Sequence, residues 1–85
     1  MTRPLEELRN VGPKSAAWLR DAGFADETAL RKAGAVLAFS VVRGRRREVS
    51  SNLLWAIEGA LTETDWRLIP GGRREELLRQ VEGGA

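Results

Sequence analysis

The chain has 85 residues, 14 of them basic and 12 acidic, for a formal net charge of +2, and it contains neither cysteine nor histidine. A single domain of this size buries only about 60–70% of the surface its unfolded chain exposes, and without cysteine no disulfide or thiolate metal site can staple it, which suits a reducing cytoplasm. Without histidine the usual general base, the commonest metal ligand and every Ser-His arrangement are missing, which argues against an enzyme, a metal and a cofactor.

The carboxylates Glu6, Glu7, Glu75 and Glu76 fall in the polar stripes of predicted helices, where solvation accounts for them. The start, Met-Thr-Arg-Pro-Leu, does not read as a signal peptide, and the apolar stretch "AGAVLAFSVV" at 33–42 is well short of the ~20 residues that span a bilayer. Proline and glycine punctuate short helical patterns, and no alternation of β-branched residues is long enough for a strand. The expectation is a single all-α domain over 1–85 with about five to six short helices, an ordered core over about 3–81 and a frayed tail at 82–85.

In chain order, the first helix is predicted over about Pro4 to Arg9, with Leu5 and Leu8 inward and Pro4 where its missing N–H costs nothing. The second covers about Pro13 to Ala22, burying Ala16, Ala17 and Leu19, with Gly23 as a left-handed stop and Phe24 packing back. Asp26 can cap a third, "ETALRKA", that stops at Gly34 by the same left-handed logic, and a nearly all-apolar fourth follows from Ala35 to about Val42. Ser50 or Ser51 can cap "NLLWAIEGAL", whose apolar residues cover most of its circumference and mark it as the central helix, with Ala56, Gly59 and Ala60 letting neighbours come close. "TDWR" reads as one turn placing Trp66 on the core, and a last amphipathic helix runs from about Gly72 to Val81, held by Leu77, Leu78 and Val81.

Two stretches carry the functional signal. In "LRNVGPKSAAWL", Val11 lies between Asn10 and Gly12, two residue types that tolerate positive φ, so the chain can reverse within a few residues, and the alanines at 16 and 17 allow a close helix crossing. This resembles the helix-hairpin-helix motif, in which Gly, an apolar residue and Gly are followed by a short polar spacer and Ala. Val11, Gly12, Lys14 and Ala17 stand where the motif asks for them, and Asn10 replaces its first Gly. The resemblance implies that hairpin amides and the start of the next helix, over Asn10, Val11, Gly12, Lys14 and Ser15, cradle a nucleic-acid phosphate. The second stretch is "RGRRRE" at 43–48, where Arg43, Arg45, Arg46 and Arg47 on a flexible loop around Gly44 could pair with phosphates and displace counterions. It closes a run from Arg31 to Arg47 with six basic residues and no acid, followed from Glu48 to Trp66 by four acids and no base, so only part of the surface is suited to a polyanion.

The three tryptophans invite base stacking, but a domain this small is expected to spend Trp55 and Trp66 on its core, and Trp18, closest to the hairpin, is left open between the two roles. "IPGGRREELL" at 69–78 echoes the hairpin, but Glu75 and Glu76 stand where the close crossing needs Ala, so it is not a repeat. "LRNVGPKSAAWLRDAGF", "TALRKAGAVLAF", "NLLWAIEGAL" and "DWRLIP", in this order and over residues 5 to about 80, resemble the C-terminal domain of the TfoX/Sxy family of bacterial competence regulators. That resemblance implies an α-helical, helix-hairpin-helix-like fold and a link to DNA uptake or transcription control. Two functions follow: a non-catalytic module that binds DNA phosphates without sequence preference, or a module that docks on a transcription or competence protein. Neither involves a membrane or a small-molecule substrate.

Overall fold

Leu5 and Leu8 are too few apolar anchors to hold a helix, and in the computed structural model, which describes residues 2–83, the segment expected to be helical from Pro4 to Arg9 closes only one 3-10 turn, Leu5–Glu7. Helix nucleation fixes several residues for one hydrogen bond, so a stretch this short gains little by continuing. Leu8 becomes extended instead, and both leucines enter the core.

Helix α1, Pro13–Asp21, begins with Pro at its first position. Its end is set by Gly23 at φ 102°, which lets the Gly23 N–H donate to the Arg20 carbonyl and the Phe24 N–H to that of Leu19, bringing Phe24 back against the core. Ala16 and Leu19 are fully buried, but Ala17, expected to be inward, faces solvent. Adjacent helical positions diverge by about 100°, and Ala16, which shares a face with Leu19, takes the crossing alone.

Helix α2, Glu27–Arg45, unites the two helices expected on either side of Gly34. The Asp26 side chain caps it, accepting from the Ala29 N–H at 3.0 Å. Gly34 does break the helical path, though with φ 82° and ψ 164° rather than a left-handed turn, a conformation essentially reserved for glycine. Beyond the break Ala35, Ala38, Phe39 and Val42 are buried, and the helix runs on through Arg43, Gly44 and Arg45, so most of the expected flexible loop is helical and the loop proper opens at Arg46.

Helix α3, Asn52–Thr62, is the centre of the domain, with every residue from Leu53 to Ala60 buried. Neither serine caps it in the expected way: Ser51 at the cap position makes no side-chain bond, and the Ser50 hydroxyl accepts from the Asn52 N–H at 3.2 Å. The buried carboxylate Glu58 accepts from Arg73 Nε at 2.9 Å, which supplies the partner that burying a charge requires. After α3 a second 3-10 turn, Trp66–Leu68, is started by Asp65, whose carboxylate accepts from the Arg67 N–H, and Trp66 packs partly buried against the core. Helix α4, Gly71–Gly83, is held by buried Leu77 and Val81. It remains helical at 82 and 83, and residues 84 and 85 of the expected frayed tail lie outside the described residues.

Among the described residues the architecture is four α-helices and two 3-10 turns with no strand, in place of five to six helices. None of these helices is long and apolar enough to cross a membrane.

Candidate functional site

The hairpin between the first 3-10 turn and α1 depends on one residue. Asn10 sits at φ 72°, in the left-handed region that Asn tolerates better than most side chains, whereas Gly12 is extended at φ −91° and ψ −179°. The reversal attributed to both residues is made by Asn10 alone, and it joins a 3-10 turn, not a full helix, to α1. Val11 is buried in the core. The Asn10 amide reaches the far end of α3, where Nδ2 donates to the Thr64 carbonyl at 2.8 Å and Oδ1 accepts from the Trp66 N–H at 3.4 Å. Gly59 makes room for it: a Cβ built there would lie 2.5 Å from the Thr64 carbonyl oxygen and closer still to Asn10 Nδ2. Asn10 therefore spends its side chain inside the molecule and acts on the site by fixing the hairpin.

With the turn fixed, the N–H groups of Gly12, Lys14 and Ser15 have no intrachain acceptor among the described residues, as expected at a helix start without a side-chain cap. Lys14 is exposed and lies over the Trp18 ring, its Nζ 5.2 Å from the centroid. At the other end of α1, Arg45 Nε donates to Asp21 Oδ2 at 3.3 Å. The two basic elements thus meet the same helix, Lys14 at its start and Arg45 near its end, roughly 10 Å apart along the axis from the helical rise.

The arginine quartet does not form one patch. Arg45 pairs with Asp21 of α1, and Arg46 pairs at 3.8 Å with Glu48, which lines a cleft beside α1. Arg43 stacks over Phe39 at 5.1 Å and, with Arg47, lines a separate cleft of about 400 Å³ next to Val81 of α4. Most other arginines are tied to acids. The Arg20 guanidinium holds the Glu6 carboxyl down at about 2, and Arg3 with Arg31 does the same for Glu27. Arg67 depresses Asp65 in the same way. Lys14, Arg43 and Arg47 form no ion pair among the described residues.

Between α1 and the start of α3 lies a cleft of about 340 Å³ whose walls include Ser15, Trp18, Glu48, Ser50, Asn52 and Trp66. Only Ser15 and Trp18 were legible as neighbours of the hairpin; Glu48, Ser50, Asn52 and Trp66 come from other elements, and no local pattern marks them. Trp66 is held on both sides of its backbone, its N–H by Asn10 and its carbonyl by Arg74 Nη2 at 2.8 Å. Arg74 itself lies between the Trp55 and Trp66 rings, 5.1 Å and 5.9 Å from their centroids. Among the described residues there is no cluster of three or more acidic side chains that could hold a metal ion.

The family model for the TfoX C-terminal domain matches residues 1–81. Two crystal structures of an uncharacterized Listeria monocytogenes protein are similar. The triclinic form is 28% identical, with 94% of each chain covered and a TM-score of 0.84. The tetragonal form is also 28% identical, covering 88% of this chain and 93% of that one, with a TM-score of 0.83. None of the curated proteins matches the chain.

Proposed function

The chain belongs to the TfoX C-terminal domain family, and from that premise we propose that it is a non-catalytic nucleic-acid-binding module of competence or transcription regulation, contacting DNA phosphates without sequence preference. The observation that carries this reading is the pairing, on one helix, of unbonded hairpin amides beside Lys14 with Arg45 at the opposite end. Backbone N–H groups at a helix start suit an anion, and Lys14 adds a point charge. The roughly 10 Å between the two elements is on the scale of neighbouring phosphates along one strand. Gly12, Lys14 and Ser15 make the hairpin contacts, Asn10 and Val11 hold the turn, and Arg45 and Arg46 make the second set, with Arg47 beside Arg43 at the α4 cleft. Arg43, turned toward α4, contributes least.

A protein-docking role calls for an apolar face. The large apolar side chains most exposed among the described residues are Leu37 on α2 and Leu68 after α3, single residues on separate elements. The phosphate reading is therefore preferred.

The test is a titration of two unrelated duplexes at several salt concentrations. Affinity should fall in the ~10⁻⁴ to 10⁻⁶ M range at physiological salt, be equal for both duplexes, and weaken steeply as salt rises. Lys14→Glu and the triple Arg45, Arg46, Arg47→Ala change, at exposed positions, should leave the fold intact while weakening binding and flattening the salt slope. A folded parent that binds no duplex at about 50 mM salt, where electrostatic contacts are strong, refutes the reading and leaves the protein-docking one.

A further inference from the structure

The phosphate contacts use the rim of the hairpin and leave unexplained the cleft beside it. At about 340 Å³ it falls in the range of about 300–1,000 Å³ typical of small-molecule sites. Its walls combine two half-buried tryptophans, Trp18 and Trp66, with the short polar side chains of Ser15, Ser50 and Asn52. No lysine or arginine lines it, and Glu48 places a carboxylate at its edge, so the interior is unsuited to an anion. An occupant matched to these walls is neutral, planar and polar at its edges. We propose that the cleft receives one unpaired base of a single-stranded nucleic acid, an inference that rests on the phosphate-binding reading above.

The surrounding charges fit that occupant. Lys14 Nζ covers the Trp18 ring and has no ion-pair partner among the described residues, so it can move off to the phosphate of the same nucleotide as the base takes its place on the ring, while Glu48 of the cleft edge pairs with Arg46. The aromatic wall is also fixed in advance, because Asn10 and Arg74 hold the Trp66 peptide from both sides. Ser50 and Asn52 hydroxyl and amide groups can bond a base edge, and Glu48 can accept from an exocyclic amino group. In a duplex each base is stacked and paired, so entry into the cleft requires unstacking that a single strand does not. The cleft therefore turns a sequence-indifferent phosphate binder into one that prefers single strands, frayed ends or bubbles.

The experiment compares a short single-stranded oligonucleotide with its duplex, at about 50 mM salt, by fluorescence anisotropy and by quenching of the protein's tryptophan emission. The single strand should bind about 5-fold tighter or more, matching the stacking contribution of one base, and should quench the emission strongly where the duplex does not. Trp18→Leu, judged folded by circular dichroism, should abolish both the preference and the extra quenching while retaining duplex binding. Asn52→Glu, at an exposed position on the rim, should abolish the preference without touching the core, so the test survives if Trp18→Leu does not fold. Equal or tighter binding of the duplex, or a single-strand preference that persists in the folded variants, overturns the cleft assignment alone. If neither oligonucleotide binds the parent, the phosphate reading falls and the cleft assignment falls with it.

Discussion

Replacing Gly59 with Ala tests how the hairpin is held. On an unconstrained helix the change would stabilise by about 1 kcal/mol, because Ala has the better helix propensity. In α3 the new methyl would meet the Thr64 carbonyl oxygen at 2.5 Å and Asn10 Nδ2 closer still, and a carbonyl in the backbone cannot rotate away as a long side chain would. Overpacking of this kind costs about 1–3 kcal/mol, and displacing the Asn10 amide forfeits its 2.8 Å bond to Thr64, worth about 0.5–1.5 kcal/mol. After subtracting the propensity gain, the net destabilisation is about 0.5–3.5 kcal/mol, a fall in melting temperature of about 2–28 °C for a domain of this size. The assay is thermal unfolding followed by circular dichroism, with Asn10→Gly as the partner variant because glycine keeps the positive φ and removes only the amide. Since the two residues touch, Gly59→Ala should cost less in the Asn10→Gly background than in the parent. A melting temperature unchanged or raised by Gly59→Ala alone would refute the close approach and the anchoring of the hairpin.

The other predictions are simpler. Ala16→Leu should destabilise by about 1–3 kcal/mol by overpacking a fully buried position, whereas Ala17→Leu, on the exposed face, should stay within about 0.5 kcal/mol in the same thermal assay. Glu6 and Glu27 have folded pKa values near 2 against an ordinary 4.5, so the unfolded chain takes up protons first as pH falls. Their contribution should be complete above about pH 5 and decline between about 4.5 and 2, read as a falling urea midpoint that Glu27→Gln makes flatter, and small because the Glu6–Arg20 pair faces solvent and both arginines on Glu27 are partly exposed.

Local chemistry was legible in the sequence; side-chain reach was not. The Asp26 cap and the positive φ of Gly23 and Gly34 depend on residues a few positions apart, so the sequence marks them directly. The central position of α3 follows from an apolar circumference that leaves no face for solvent. By contrast, the alanine pair at 16 and 17 does not say which member faces the crossing, since α1 has no wide apolar stripe to set its phase. Leu5 and Leu8 give an apolar pattern that a helix and a single 3-10 turn satisfy equally well, so the pattern does not separate them. The break at Gly34 was read as an end, although the chain beyond it resumes helix at once and carries Arg43 and Arg45 with it. Least accessible were the contacts between distant segments: Asn10 to Thr64, Glu58 to Arg73, and the assembly of Glu48, Ser50 and Trp66 beside Trp18. Each joins side chains that no periodicity relates.

The break at Gly34 also divides α2 in its cooperativity. The segment before it buries only Leu30 in the core and is tied to the start of the chain through the Arg3–Glu27 pair, the Thr2–Thr28 bonds and the Glu27 N–H to the Arg3 carbonyl, and to α3 through Arg31, which donates to the Leu61 carbonyl. The segment after it buries Ala35, Ala38, Phe39 and Val42 in the same core as α3. With no continuous ladder of helical bonds across Gly34, fraying on one side is not transmitted to the other. The two halves are expected to differ in hydrogen exchange, the earlier one, with a single core residue, opening more readily than the later one, with four. Such an opening would release Thr2 and Arg3 from α2 while Leu5 and Leu8 stay in the core and keep the hairpin anchored.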